Sequence, residues 1–189
     1  MSAIRLRGAT SGTTDVVAAA IAGDGVLSLP TGTGTLATQA FVNTAVAAGG
    51  KVLQVVRATD STDRTTTSSS FVDAGISVTI TPQRTTSNIL LIWTANTSAT
   101  VTSGTNCFAR FAITDSANNL IGGQVRLGIA ASSANNQIDA AMSLIRWASP
   151  ATVSATTYKG RFNLQFGSNA NVYNATTGAG ELFAIEVAA

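Results

Sequence analysis

From Lys51 to Ala189 apolar and polar positions alternate with a period of two. Ile76, Val78 and Ile80 alternate with Ser77, Thr79 and Thr81, and Val125, Leu127 and Ile129 alternate with Gln124, Arg126 and Gly128. Tyr158, Phe162, Leu164 and Phe166 are separated by Lys159, Arg161, Asn163 and Gln165, and Phe183, Ile185 and Val187 close the chain around Ala184 and Glu186. Successive side chains of a strand point to opposite faces, so each large apolar set is expected on the core side of a half-buried antiparallel strand. Asn88-Ile-Leu-Leu-Ile-Trp93 is apolar at consecutive positions and reads as a central strand covered on both faces. Turn signals recur between these runs, at Thr81-Pro82, Ser103-Gly104, Asp115 to Asn119, Ser132 to Asn136, Ser149-Pro150, Gly167-Ser168 and Thr177-Gly178. Short strands at that spacing predict an antiparallel sandwich of the jelly-roll kind.

The front of the chain has a different texture. Ile4 and Leu6 alternate with Arg5 and Arg7, and Val16-Val17 and Val26, Leu27 and Leu29 follow between Gly12, Gly23 and Gly25. These are short strands with too few large apolar residues for a core of their own. A helix is expected next: Thr35 or Thr38 caps it, Phe41, Val42, Ala45 and Val46 form one stripe, and Gly49-Gly50 end it. A helix of about ten residues is marginal alone in water, so the stripe must pack, and copies of itself about a symmetry axis would serve. The expected organisation is therefore all-β with a small amino-terminal β-segment (1–34), a short linker helix (35–50) and a carboxy-terminal antiparallel jelly-roll sandwich (51–189).

Composition narrows the function. Charged residues are 11% of the chain, and its 28 threonines, with many Ser and Asn, supply the polarity instead. Eleven cations against nine anions give a net charge of +2, and the cations are spread singly apart from Arg5 and Arg7. Phosphate neutralisation needs clustered Lys and Arg, so nucleic acid is not an expected partner. The longest strongly apolar run, Ile89 to Trp93, is far short of a membrane span, and Met1 to Arg7 has no secretory pattern. The reading is therefore a protein made in the cytoplasm, with no membrane partner.

There is no histidine, which removes His-based triads, the usual zinc sets and haem ligation together. Gly49-Gly50-Lys51 resembles the end of a phosphate-binding loop, but Ala45 and Val52 occupy the positions of its first glycine and its hydroxyl residue. Asp60 and Asp63 lie close in a Ser/Thr-rich turn and read as solvated carboxylates rather than an ion site. Cys107, the single cysteine, reads as a buried small hydrophobe. No catalytic residue, cofactor or metal is assigned, and the expectation is a non-enzymatic protein, although composition alone leaves a carboxylate-pair glycosidase open. Among the aromatics, Trp93, Trp147 and Tyr158 read as core. Tyr173, in the Asn169–Asn174 region, is the candidate for contact with a surface ligand.

Several phrases resemble structural proteins of tailed bacteriophages, in particular fibre-type proteins of marine and cyanobacterial phages. At the front these are Ile4-Arg-Leu-Arg-Gly-Ala-Thr-Ser-Gly12, Leu27-Ser-Leu-Pro-Thr-Gly-Thr-Gly-Thr-Leu-Ala37 and Phe41-Val-Asn-Thr44. Further on, Lys51-Val-Leu-Gln-Val-Val56, Phe71-Val-Asp-Ala-Gly-Ile-Ser-Val-Thr-Ile-Thr-Pro82 and Ser87-Asn-Ile-Leu-Leu-Ile92 look like the start of a trimeric, tumour-necrosis-factor-like jelly roll at a fibre tip. The resemblance implies a homotrimer in the virion, no catalysis, contact with other virion proteins, and either a host-surface glycan as partner or decoration of the capsid. It carries no receptor-binding residues over, and the chain is short for a fibre, with no long shaft. The expected function is a short trimeric tail fibre or appendage. A trimeric capsid cement protein is the alternative, and a free carbohydrate-binding module the more distant one.

If the helix stripe packs about a symmetry axis, Phe41→Asp combined with Val46→Asp places desolvated charge there. Native mass spectrometry of the double variant is expected to show loss of trimer.

Overall fold

The computed structural model describes residues 3–7, 13–17, 51–102, 106–130, 135–175 and 178–189. It divides into two units, Met1–Asn43 and Thr44–Ala189. In the first, β1 (Ala3–Arg7) and β2 (Thr13–Val17) pair antiparallel, with Ile4 opposite Val16. The linker helix expected over 35–50, with Phe41, Val42, Ala45 and Val46, lies outside the described residues. So do Val26, Leu27 and Leu29. Among the described residues every regular element is a strand.

The second unit is built from β3 (Val52–Asp60), β4 (Arg64–Thr66), β5 (Val72–Ile80), β6 (Asn88–Val101) and β7 (Cys107–Asp115), followed by β8 (Val125–Ile129), β9 (Asn136–Ala148), β10 (Thr156–Phe166), β11 (Asn169–Tyr173) and β12 (Gly180–Val187). One sheet has the order β5-β10-β7-β8. The other is centred on the fourteen-residue β6. Along one edge of β6, β9 pairs over its whole length, from Ile89 opposite Ala148 to Val101 opposite Asn136. The other edge is shared: β12 takes Asn88 to Thr94 and β11 takes Asn96 to Thr100. Outside them lie β3 against β12 and β4 against β11. All these pairings are antiparallel.

The core fills the space between the sheets. Ile76, Val78 and Ile80 come from β5, Ala109, Phe111 and Ile113 from β7, and Tyr158, Phe162 and Leu164 from β10. They meet Ile89, Leu91 and Trp93 of β6, Leu144 of β9, and Leu182 and Ala184 of β12. At the centre Trp93 meets Phe111 edge-on, with centroids 6.4 Å apart, and Phe111 lies parallel to Phe162 at 6.3 Å. Such pairs contribute about 0.5–1.5 kcal/mol beyond the area they bury. The indole fits because residue 160, on the inner face of β10, is glycine. A Cβ there would stand 2.8 Å from Ile76 Cγ2 and 2.9 Å from the Trp93 ring.

Four features of the alternation resolve differently from the sequence reading. Phe166 is 56% exposed although Phe162 and Leu164 are buried. The register of β10 against β7 slips between Leu164 and Phe166, and a bulge of one residue turns the following side chain to the other face. In β12 the buried set is Leu182, Ala184 and Glu186, while Phe183, Ile185 and Val187 point outward. Trp147, read as core, is on the outer face of β9 and 57% exposed. The run at the start of β6 is covered on one face only: Ile89, Leu91 and Trp93 are buried, Leu90 and Ile92 half-buried on the outside.

Gly160→Val is expected to cost about 3 kcal/mol and about 10 °C of melting temperature, because backbone-anchored Trp93 cannot retreat. Thermal melts followed by circular dichroism measure it; an unchanged melt would show that Trp93 does not need the space.

Candidate functional site

The outer face of the β6 sheet has two unlike halves. Cross-strand partners share a face, so the register places Leu90 beside Trp147 and Ile185, and Ile92 beside Ile145 and Phe183. Val55 of β3 continues the row beyond Ile185. Ile145 is 53% and Val55 57% exposed, and together these residues make an apolar strip across four strands. The strip ends where Thr94 faces Ser143. Beyond it the outward residues are Asn96, Ser98 and Thr100 on β6, Ala141, Asp139 and Gln137 on β9, and Tyr173, Asn171 and Asn169 on β11. The change of side-chain class falls at the point where β6 exchanges β12 for β11 as its neighbour.

In the polar half a concavity of about 510 Å³ is lined by Asn96, Gln137, Asp139, Ala140, Ala141 and Tyr173. Tyr173 is half-buried at the end of β11, not in a turn. Its backbone pairs with Asn96, yet its hydroxyl accepts a bond from Ser98 Oγ at 3.3 Å, two residues further along β6. The ring therefore lies along the sheet surface. Ser98 is itself held: Asn171 Nδ2 donates to Ser98 Oγ at 2.7 Å, and Thr65 Oγ1 donates to Asn171 Oδ1 at 2.7 Å. On the opposite wall Gln137 Nε2 donates to Asp139 Oδ1 at 2.7 Å. Asn96, Gln137 and Asp139 were not singled out in the sequence. Their alternation along β6 and β9 was visible, but the register that gathers them against Tyr173 was not.

The other candidates fall elsewhere. Trp93 and Tyr158 are buried, and burial, with the Asp115 carboxylate nearby, pushes the Tyr158 phenol up to about 12. Trp147 borders a separate cleft of about 460 Å³ with Asp115, Leu120 and Pro150. Asp115 is occupied there by Asn119, whose backbone N and side-chain Nδ2 donate to its two oxygens at 2.8 and 2.9 Å.

Asp60 is largely withdrawn from solvent beside Arg64, which corrects its reading as a solvated carboxylate, while Asp63 is exposed and nevertheless has a structural role. Asp63 Oδ1 accepts the backbone N–H of Asn174 and of Ala175, each at 2.7 Å. Asp60 accepts Asn174 Nδ2 at 3.0 Å and pairs with Arg64. The two acids tie the β3–β4 turn to the segment after β11. Among the described residues no group of three or more His, Cys, Asp or Glu could hold a metal ion, and no helix is long and apolar enough to cross a membrane. Cys107 is buried, its Sγ donating to the Thr100 carbonyl at 3.1 Å, and burial pushes the thiol up.

One acid is inside the sandwich. Glu186 is fully buried beneath the 81–87 loop. Gln54 Nε2 donates to its Oε2 at 2.6 Å, and the backbone amides of Gln83 and Arg84 donate to Oε1 at 2.8 and 3.4 Å. Burial acts to raise this carboxyl, but the hydrogen bonds outweigh it and hold the group below its ordinary value of 4.5. An acid with a lowered folded pKa stabilises the fold fully above its unfolded pKa, and that contribution disappears as pH falls through the folded value. Glu186→Gln is expected to cost about 1–3 kcal/mol at neutral pH and to shrink its deficit below pH 4.5. Urea titrations at both pH values check this; a deficit independent of pH would mean that the charge is not what holds the loop.

No protein-family model matches the chain, and no curated protein sequence matches it, so its functional reading is carried by its own residues and geometry.

Proposed function

We propose that this chain is a non-enzymatic structural subunit of a tailed bacteriophage particle, a short homotrimeric tail fibre or appendage with a jelly-roll head. The jelly-roll description is supported by two antiparallel sheets enclosing one core, the four-stranded β5-β10-β7-β8 and a six-stranded sheet in which β3-β12-β6-β9 is extended by β11 and β4. The phage-like phrases at the front and around β5 and β6 support the virion origin. In this reading the amino-terminal segment docks to the particle and the head faces outward.

The observation that carries the proposal is the apolar half of the β6 sheet. Leu90, Ile92, Phe183 and Ile185 are half-buried, and Val55, Ile145 and Trp147 stand more than half exposed, in one continuous strip. Isolated apolar residues on a surface are ordinary, but a contiguous patch marks an interaction surface. Its composition matches an interface core, mainly aliphatic and aromatic, with the Arg57 guanidinium 5.9 Å from the Phe183 ring centre at one side. The ion pair of Arg57 and Glu181 lies at its border. Copies of the same chain are the proposed cover: in a cyclic trimer each strip packs against a different face of the next copy, and three identical contacts close the ring.

Light scattering and native mass spectrometry are expected to give a trimer at micromolar concentration. Ile145→Asp with Trp147→Asp should give a folded monomer, because both residues lie outside the core and the added charges oppose burial. A monomeric wild type, or a trimer unaffected by the double variant, would remove the strip from the interface. Depleting the protein from its particle separates the two virion roles: loss of adsorption with intact heads supports the fibre, and leaking heads with normal adsorption support the cement protein.

A further inference from the structure

The polar half of the same sheet face has the features of a carbohydrate subsite. We infer that the Tyr173 concavity binds a neutral glycan, with one pyranose ring lying on the tyrosine. The inference rests on the reading of an outward-facing, non-catalytic head only for where such a glycan would be met, on a host surface. The chemistry stands on the residues alone.

Four observations lead there. The first is a platform. Tyr173 is tethered at its hydroxyl by Ser98, and Ser98 by Asn171 and Thr65, with Ser98 and Asn171 almost wholly buried. A ring fixed along the sheet surface loses little freedom on binding, so it is preorganised for a flat apolar partner. The electron-rich face of an aromatic ring attracts the weakly positive C–H groups that line one side of a pyranose.

The second is a set of directional polar groups beside the platform. Asp139 is exposed, and Gln137 Nε2 holds its Oδ1 at 2.7 Å, leaving Oδ2 to accept hydroxyl protons. Gln137 donates to Asp139 and accepts from Thr100 Oγ1 at 3.5 Å, and its amide keeps a second N–H and a second lone pair beside the platform, while Asn96 lines the same concavity. Vicinal hydroxyls need that mixture. An anionic sugar does not suit it, because among the described residues Asp139 is the one charged side chain lining the concavity.

The third is room. The small outward side chain of Ala141 leaves space beside Asn96, and the volume of about 510 Å³ is that of a small-ligand pocket. The fourth is position. Ile92 in the apolar strip and Asn96 at the concavity are four positions apart on β6, about 13 Å of strand, so the concavity is a patch distinct from the strip. A single carboxylate also fits binding better than hydrolysis, because glycoside cleavage by acids takes a pair.

The test is saturation-transfer NMR on the full-length protein with neutral hexoses, N-acetylhexosamines and their short oligomers, and sialic acid as the anionic control. At least one neutral oligosaccharide is expected to bind with Kd on the order of 1 mM. Tyr173→Ala should weaken it about tenfold or more, and Asp139→Asn about tenfold, while Tyr173→Phe, which keeps the ring, should lose only about threefold. Ala141→Trp fills the space beside Asn96 from a solvent-facing position and should abolish binding with an unchanged melt, which separates loss of the site from loss of the fold. No transfer from any neutral sugar at about 20 mM, transfer surviving both Tyr173→Ala and Ala141→Trp, or preference for sialic acid would each overturn the inference. None of these outcomes depends on whether the protein is a trimer or belongs to a virion.

Discussion

The register of β6 governs the rest of this structure. It pairs with β9 along one edge, and β12 and β11 share the other. Its inward residues carry Ile89, Leu91 and Trp93 into the core, and its outward residues carry Leu90, Ile92 and Asn96 to the surface. Because side chains alternate strictly, a slip of one residue would exchange these two sets. Trp93 holds the register against the opposite sheet. It rests in the space that Gly160 leaves and meets Phe111 edge-on, and a smaller residue in its place would leave a cavity at the centre of the core.

A chain with so few charges uses several of them to fasten loops, one of them, Glu186, fully buried. Glu186 gathers the Gln83 and Arg84 amides and the Gln54 side chain, and so fastens the 81–87 loop to β12. Asp63 takes two backbone amides after β11, and Asp60 joins Arg64 to Asn174. These acids fasten loops with charge-assisted hydrogen bonds, which are stronger than neutral ones. Outside the apolar strip, much of the outer face is Thr, Ser, Asn and Gln, with few charges. Long-range electrostatic steering is correspondingly small, so partners would be selected by short-range complementarity.

The two halves of the outer sheet face fit one physical scheme. Apolar cover from identical neighbours and polar contact with a hydroxylated ligand need different chemistry, and one continuous sheet offers both if its outward residues change class partway along. The change at Thr94 and Ser143 coincides with the change of neighbour from β12 to β11. Phe183 and Ile185 serve one half and Tyr173 and Asn171 the other. Each strand contributes to the division, which lets it be sharp.

Strand content and most turns were legible in the sequence, because period-two alternation and residues such as Pro82, Pro150 and the 115–119 cluster act locally. The burial of Ile76, Val78, Ile80, Tyr158 and Phe162 followed from the same pattern. Which face points inward was not legible wherever both faces carried apolar residues. Phe183 and Ile185 outrank Leu182 and Ala184 in size, yet they lie outside, since β12 must match the register of β6 and cover its inner side with the smaller set. Trp147 follows Leu90 outward for the same reason. The Tyr173 concavity was visible as one aromatic residue and no more. Its other walls come from β6 and β9, whose residues lie about 77 and 34 positions away in the chain, and only strand pairing could bring them together. Local pattern sets which residues alternate; the sheet opposite and the strand alongside decide which of the two sets is buried.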